Sequence, residues 1–300
     1  PAPARQLVLT LAGSDGDSVE DEGGLAELLA LLEGHARTIS IVAPLCRELG
    51  YTAVAEQLKE RGSELVADPL AQPPSAGDLL PSRDDRDRWL GPSVQLAKQR
   101  LGALLPEAEL LFELLSIFPA GVPRDLLLAT ETAITASGSL SLLLETNLAR
   151  VWGAEQRVSL PAPVRLVGDE AFRGRPGGVF AEAVSRLVQA YTELVADLYA
   201  SFGGDAARAM RARFLREDQN IRQLVESALR LETTAGLGHL AARWLEGSCH
   251  VREGGLAELG PLAERVASAA REAGDEKGEA NTLQALGDLY VRTHRLSEAE

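Results

Sequence analysis

The feature that most limits what this chain can fold into is an internal repeat near its C-terminal end. Displaced by 40 positions, GSCHVREGGLAE falls on GDLYVRTHRLSE, so that Gly247, Val251, Arg252, Leu256 and Glu258 coincide with Gly287, Val291, Arg292, Leu296 and Glu298. A period of ~34–47 residues with small residues inside helical segments marks helix-hairpin solenoids, because one helix pair can bury its apolar face only against the next pair. Aromatic residues make up only 4% of the 300 residues while Ala, Leu and Glu dominate, which favours aliphatic helical cores over a β-sandwich. The expected fold class is mainly α.

Charge and cysteine usage narrow the partners. Lys and Arg number 30 against 44 Asp and Glu, a formal net charge of −14 that repels a polyphosphate backbone and counts against nucleic acid as a partner. Cys46 and Cys249 are the two cysteines, far apart in the chain, which fits a reducing compartment and predicts a cytoplasmic protein. No run approaches the ~18 apolar residues a membrane span needs. The chain opens Pro-Ala-Pro, carries no secretory signal pattern and stops at Glu300 in mid-repeat, so a piece of a longer polypeptide is expected.

Periodicity divides the chain. Gln6 to Leu11 reads as one strand or an extended lead-in, the acidic stretch Asp15 to Glu22 as solvated, and Leu25 to Val66 as three short helices. Together these give a helical subdomain over 1–67. Segment 68–92 holds Pro69, Pro73, Pro74, Pro81 and Pro92 and reads as a linker. Segment 93–172 reads as three or more helices followed by the hairpin Arg150 to Trp152 and Arg157 to Leu160, the pattern of a winged helix. In it Leu110, Leu111, Leu114, Leu115 and Phe118 are expected to be buried, with Glu107, Glu109 and Glu113 on the solvent face. Segment 173–232 supplies two long linker helices, Ala181 to Phe202 and Ala206 to Leu231, and 233–300 an incomplete array of antiparallel helix pairs.

In the last repeat Leu283, Leu286, Gly287, Tyr290 and Ala299 stand at the offsets of the tetratricopeptide (TPR) repeat, which it resembles. Three further segments resemble, in order, the region after the nucleotide-binding core of STAND-type (NB-ARC-like) signalling ATPases. Leu32 to Ile39, LEGHARTI, is similar to the family's L-x-G-H-P-L-A-I segment beside the bound adenine, with Ala36 at the proline position. Leu104-Leu105-Pro106 and Leu110 to Pro119 resemble the winged-helix opening L-P-x-x-x-x-L-L-x-x-L-S-x-F-P. Leu160 to Arg165, LPAPVR, is similar to the segment after the wing, with Pro161 where many members carry a phosphate-sensing histidine. Glu217 to Arg222, EDQNIR, looks like the helix that leads into such TPR arrays.

The resemblance implies the regulatory, ligand- or partner-sensing part of a nucleotide-controlled switch, held autoinhibited and oligomerising on activation, with defence signalling as one setting. It implies that Gly34, His35, Ala36, Pro161 and Arg165 lie near nucleotide, and that Asn281, Gln284 and Tyr290 present a TPR face to a protein or peptide. Full-length members bind ATP or ADP with Mg. No G-x-x-x-x-G-K-[ST] occurs in this sequence, so the chain itself is expected to hold no cofactor and hydrolyse no ATP.

The alternative is a DNA-binding transcriptional regulator reading a groove with the winged helix. Segment 93–172 carries six cations against nine carboxylates, which favours a structural wing. The helix bearing Arg208, Arg211, Arg213, Arg216 and Arg222 is the one basic patch, read as a solvated or ion-paired face served by Glu217, Asp218 and Glu226. His35, His239, His250 and His294 lack metal-ligand spacing, and no G-x-S-x-G turn exposes a nucleophile.

Overall fold

The computed structural model describes residues 2–13, 21–66, 89–203, 206–252 and 254–293. It is mainly helical with one small sheet, and the chain divides into two compact units that interleave along the sequence. The first holds Pro1–Phe112, Ser137–Arg150 and Leu160–Glu170; the second holds Glu113–Ala136, Val151–Ser159 and Ala171–Glu300. Segment 93–172 is thus shared between the two units.

The first unit holds helices α1 (Ala2–Ala12), α2 (Glu22–Leu32), α3 (Ala36–Leu49), α4 (Tyr51–Val66) and α5 (Leu90–Leu104); α3 packs on α1, α4 and α5, and α2 packs on α4. The strand or extended lead-in expected at Gln6 to Leu11 is instead part of α1. Val8, Leu9 and Ala12 fall on one helical face and are buried, and that burial outweighs the strand preference of Val8 and Thr10. The linker expected over 68–92 lies outside the described residues from 67 to 88, and its last residues, Leu90 to Pro92, belong to α5.

Asp21 organises two helix starts. Its Oδ1 accepts from the Gly24 N–H at 2.9 Å, capping α2, while Oδ2 accepts from the Thr52 N–H at 2.8 Å in the first turn of α4. The Thr52 and Gly24 N–H groups hold the Asp21 carboxyl below the usual carboxylate range. Leu25, Leu28, Ile39, Val42, Val54, Leu58 and Val94 fill the interior, each worth ~1.5–3 kcal/mol on burial. Helix α8 (Ser137–Glu145) is tied in where Asn147 Nδ2 donates to the Ser40 carbonyl at 3.0 Å.

In the second unit, β1 (Val122–Pro123), β2 (Arg150–Trp152) and β3 (Arg157–Ser159) form a sheet of order β1-β3-β2, with Val122 opposite Val158 in an antiparallel register. Pro123 feeds α7 (Arg124–Ala129). Helix α6 (Pro106–Leu115) belongs to the first unit up to Phe112, where Leu111 is buried and Leu110 half-buried, and to the second from Glu113, where Leu114, Leu115 and, just beyond the helix, Phe118 are buried. Glu107 and Glu109 are half-buried, but Glu113, expected in solvent, is fully buried. Arg175, just after α9 (Ala162–Gly174), grips it with Nε and Nη2 at 2.9 and 3.1 Å, and this forked ion pair is what makes a buried carboxylate tolerable.

The rest of the second unit is built from long helices: α10 (Ala181–Ala200), α11 (Ala207–Arg230), α12 (Leu237–Val251), α13 (Gly260–Glu272) and α14 (Glu276–Arg292). Alternate helices are neighbours, for α12 lies against both α10 and α14 while α11 and α13 touch each other. Helices adjacent in sequence pack as well, α10 on α11 and α13 on α14. Small residues permit the close crossings: the Phe214 ring occupies the space a side chain on Gly247 would need, and the Gly278 backbone does the same at Gly238.

Candidate functional site

Along α10, Ser185, Gln189, Thr192 and Glu193 recur at helical spacing and so share one side of the helix. With Ala235, Gly236 and His239 at the start of α12 they line a cleft of about 330 Å³. Gly236 takes the left-handed backbone conformation (φ 74°) that turns the chain into α12, so the cleft floor is set by a residue without a side chain.

One polar group of this cleft, the His239 imidazole, is held by α14. Asn281 Nδ2 donates to His239 Nδ1 at 2.8 Å, an arrangement that leaves the imidazole proton on Nε2 as a second donor. Thr282 Oγ1 lies 3.1 Å from the Gly238 carbonyl and 2.8 Å from the Gly278 carbonyl, its one proton shared between them, which ties α12 to α14. Thr192 is satisfied within its own helix by the Val188 carbonyl at 2.7 Å, and Gln189 leans towards Glu193 at 3.4 Å. The result is a cleft that presents polar groups from α10 and α12, with His239 among them held in place by Asn281, a lining suited to reading the backbone and polar side chains of an extended segment.

Of the residues expected on a TPR face, Asn281 is half-buried beside His239 and Gln284 is exposed on α14. Tyr290 is instead only 3% exposed, and its hydroxyl donates to Glu264 of α13. Its ring packs against Gly260, so it belongs to the α13–α14 core rather than to an open face. Leu283, expected in the same apolar stripe, is 43% exposed. Gly287 lies within α14, and repeat positions Leu296 and Glu298, with Ala299, are outside the described residues.

The residues that resemble nucleotide-proximal positions all lie in the first unit. Gly34 (φ 73°) and His35 make the α2–α3 turn, His35 Nδ1 meets Thr38 Oγ1 at 2.6 Å, and Ala36 opens α3 with its side chain exposed. Gly34 and Glu33 line a mostly apolar cleft of about 540 Å³ with Ala4, Ala26, Leu29 and Ala30. Pro161 precedes α9, its carbonyl accepting the Arg165 N–H at 2.9 Å, and the Arg165 side chain has no ion-pair partner among the described residues.

The second unit also contains a buried ionic cluster that sequence reasoning missed. Arg157, 1% exposed on β3, places Nη1 and Nη2 at 2.5 and 3.0 Å from the two carboxylate oxygens of Glu217 on α11. Arg157 also donates to the Ala120 and Gly121 carbonyls, Tyr191 donates to Glu217, and Asn220 bridges Glu217 and Gly121. Burial alone would lower the Arg157 pKa, but the hydrogen bonds and charge of Glu217 outweigh it and raise it. Burial, reinforced by Glu217, pushes the Tyr191 hydroxyl well above its ordinary value. The neighbouring Asp218 accepts from Trp244 Nε1 at 2.9 Å and pairs with Arg252. A signal for both was present: Glu217, Asp218 and Asn220 fall in phase with the buried Phe214, Ile221, Leu224 and Val225.

No protein-family model matches this chain, and neither the curated proteins nor the solved structures give a match. Among the described residues, no helix is long and apolar enough to cross a membrane, and no cluster of His, Cys, Asp and Glu could hold a metal ion.

Proposed function

We propose that this chain is the regulatory, partner-sensing portion of a nucleotide-controlled signalling switch of the STAND type, and that the cleft along α10 and α12, backed by α14, takes a segment of a partner protein. The observation that carries the reading is the His239–Asn281 pair, which fixes a polar group from one helix by a residue of the next at the edge of a cleft. The packing of α12 on α14 and of α13 on α14 supports a TPR-like array over α12 to α14, and the order β1-β3-β2 with α7 supports a winged-helix unit. In this scheme ATP and Mg belong to a separate P-loop core, and the chain described here hydrolyses nothing. A partner that binds the open switch more tightly than the closed one shifts the population towards oligomerisation, and a shift from 1:99 to 99:1 requires ~10⁴-fold preference.

Selection of displayed peptides on the whole chain tests the cleft. Selected peptides should bind the wild type and lose about tenfold or more in affinity to a His239→Ala/Asn281→Ala variant that keeps its helical content. Peptides that bind both proteins equally would place the partner surface elsewhere.

A further inference from the structure

Helix α11 turns its middle carboxylates inward and leaves arginines outside. Arg208, Arg211, Leu215, Gln219 and Arg222 share one exposed face, at spacings of three and four residues. Glu217 and Asp218, which the sequence offered as neutralising partners, are consumed by Arg157 and by Trp244 with Arg252. On the flank, Arg213 and Arg216 share Glu155 from the β2–β3 turn at 3.3 and 3.4 Å. Among the described residues Arg211 reaches only the Phe202 carbonyl, Arg222 pairs with half-buried Glu226, and Arg208 has no ion-pair partner. Leu215 sits among them 47% exposed.

Folding does not ask for this arrangement. Cations near a helix N-terminus oppose the macrodipole, and Arg208 and Arg211 repel each other one turn apart, while the first turn of α11 contains no acid. In a chain of net charge −14 carboxylates are plentiful, so a stretch of exposed face from Arg208 to Gln219 with no carboxylate of its own, the first being Glu226 beside Arg222, is a local conflict of the kind that marks a functional surface.

We propose that the exposed face of α11 around Leu215 docks an acidic protein segment bearing an apolar side chain. Charge complementarity selects the occupant: guanidinium forks match carboxylates in pairs, and Leu215 supplies an apolar centre ringed by charge. The net charge of −14 repels a nucleic acid approaching the same face. This surface is separate from the cleft of the preceding proposal, and either can fail without the other.

The test is fluorescence anisotropy with a short labelled peptide in which glutamates flank a leucine, beside its glutamine-for-glutamate counterpart and a single-stranded oligonucleotide of equal charge. The acidic peptide should bind, weaken in high salt, and lose about tenfold or more with Arg208→Glu/Arg211→Glu and several-fold with Leu215→Ser. The charge-reversed protein should melt no lower than the wild type, because acids at a helix N-terminus are favourable. His239→Ala/Asn281→Ala should leave binding of this probe unchanged. Equal binding of the acidic and glutamine peptides, or unchanged affinity after charge reversal, would overturn the proposal. Tighter binding of the oligonucleotide would overturn it in favour of a nucleic-acid surface, and a lowered melting temperature on charge reversal would assign the arginines to the fold.

Discussion

The backbone of Gly278 occupies the space where a side chain on Gly238 would stand, and the two glycines lie 40 residues apart, the repeat distance of the chain. Equivalent helices of successive repeats therefore meet at equivalent residues. Thr282 ties the crossing together by sharing its hydroxyl proton between the two carbonyls.

Gly238→Ala should therefore force α12 and α14 apart despite the better helix propensity of alanine. Overpacking of this kind costs ~1–3 kcal/mol, against the ~1 kcal/mol that alanine gains over glycine in a helix. A lower melting temperature, with amide exchange accelerated over 278–290, is the expected result. A stabilised variant would mean that the helices do not cross this closely.

Removing one partner of the Arg157–Glu217 pair leaves a charge with nowhere to go. Both side chains are at most 1% exposed, so Glu217→Ala should destabilise by ~3–5 kcal/mol in denaturant titrations. Replacing both, as in Arg157→Met/Glu217→Leu, should recover most of that loss, because the desolvation penalty disappears with the charges. Equal destabilisation by the single and double variants would show that the cluster stabilises through packing alone.

Leu114 has no exposed surface, and Leu114→Ala should cost ~2–5 kcal/mol. Glu113 beside it is equally buried, and Glu113→Ala should cost less, ~1–3 kcal/mol, because the stranded Arg175 is 36% exposed and recovers part of its hydration. An unchanged melting temperature for either variant would contradict the packing of α6.

Burial pushes the Cys46 thiol from 9.0 up to about 12. A raised thiol pKa means that the folded chain keeps a proton which the unfolded chain loses, so its contribution is fully present below pH 9 and declines as pH rises towards 12. The full difference is about 4 kcal/mol. Denaturant titrations between pH 8 and pH 10.5 should show a decline that Cys46→Ala, although less stable overall, shows less steeply. Iodoacetamide should label Cys46 in the native protein only slowly. Parallel pH profiles for the two proteins would refute the buried-thiol reading.

Most of the helices were legible from apolar spacing, as was the hairpin at Arg150–Trp152 and Arg157–Ser159, because each of these depends on residues within a few positions of one another. Where the reading failed, burial decided the outcome. Val8 and Leu9 form a helix because α3 offers them an apolar surface, and Tyr290 turns inward because α13 supplies Gly260 beside it and Glu264 for its hydroxyl.

The same holds for the charged residues. Sequence placed Glu217 and Asp218 within helical reach of the arginines on their own helix, but their partners Arg157 and Arg252 lie 60 and 34 positions away, and Glu113 finds Arg175 at a separation of 62. A mainly helical chain with a short hairpin follows from residue spacing and propensity alone, because both act locally. Which charges are buried, which are left on the α11 face, and that His239 is held by Asn281 at a cleft were decided only by tertiary structure, because a buried ion or polar group takes its partner from whatever packs against it, at any distance along the chain.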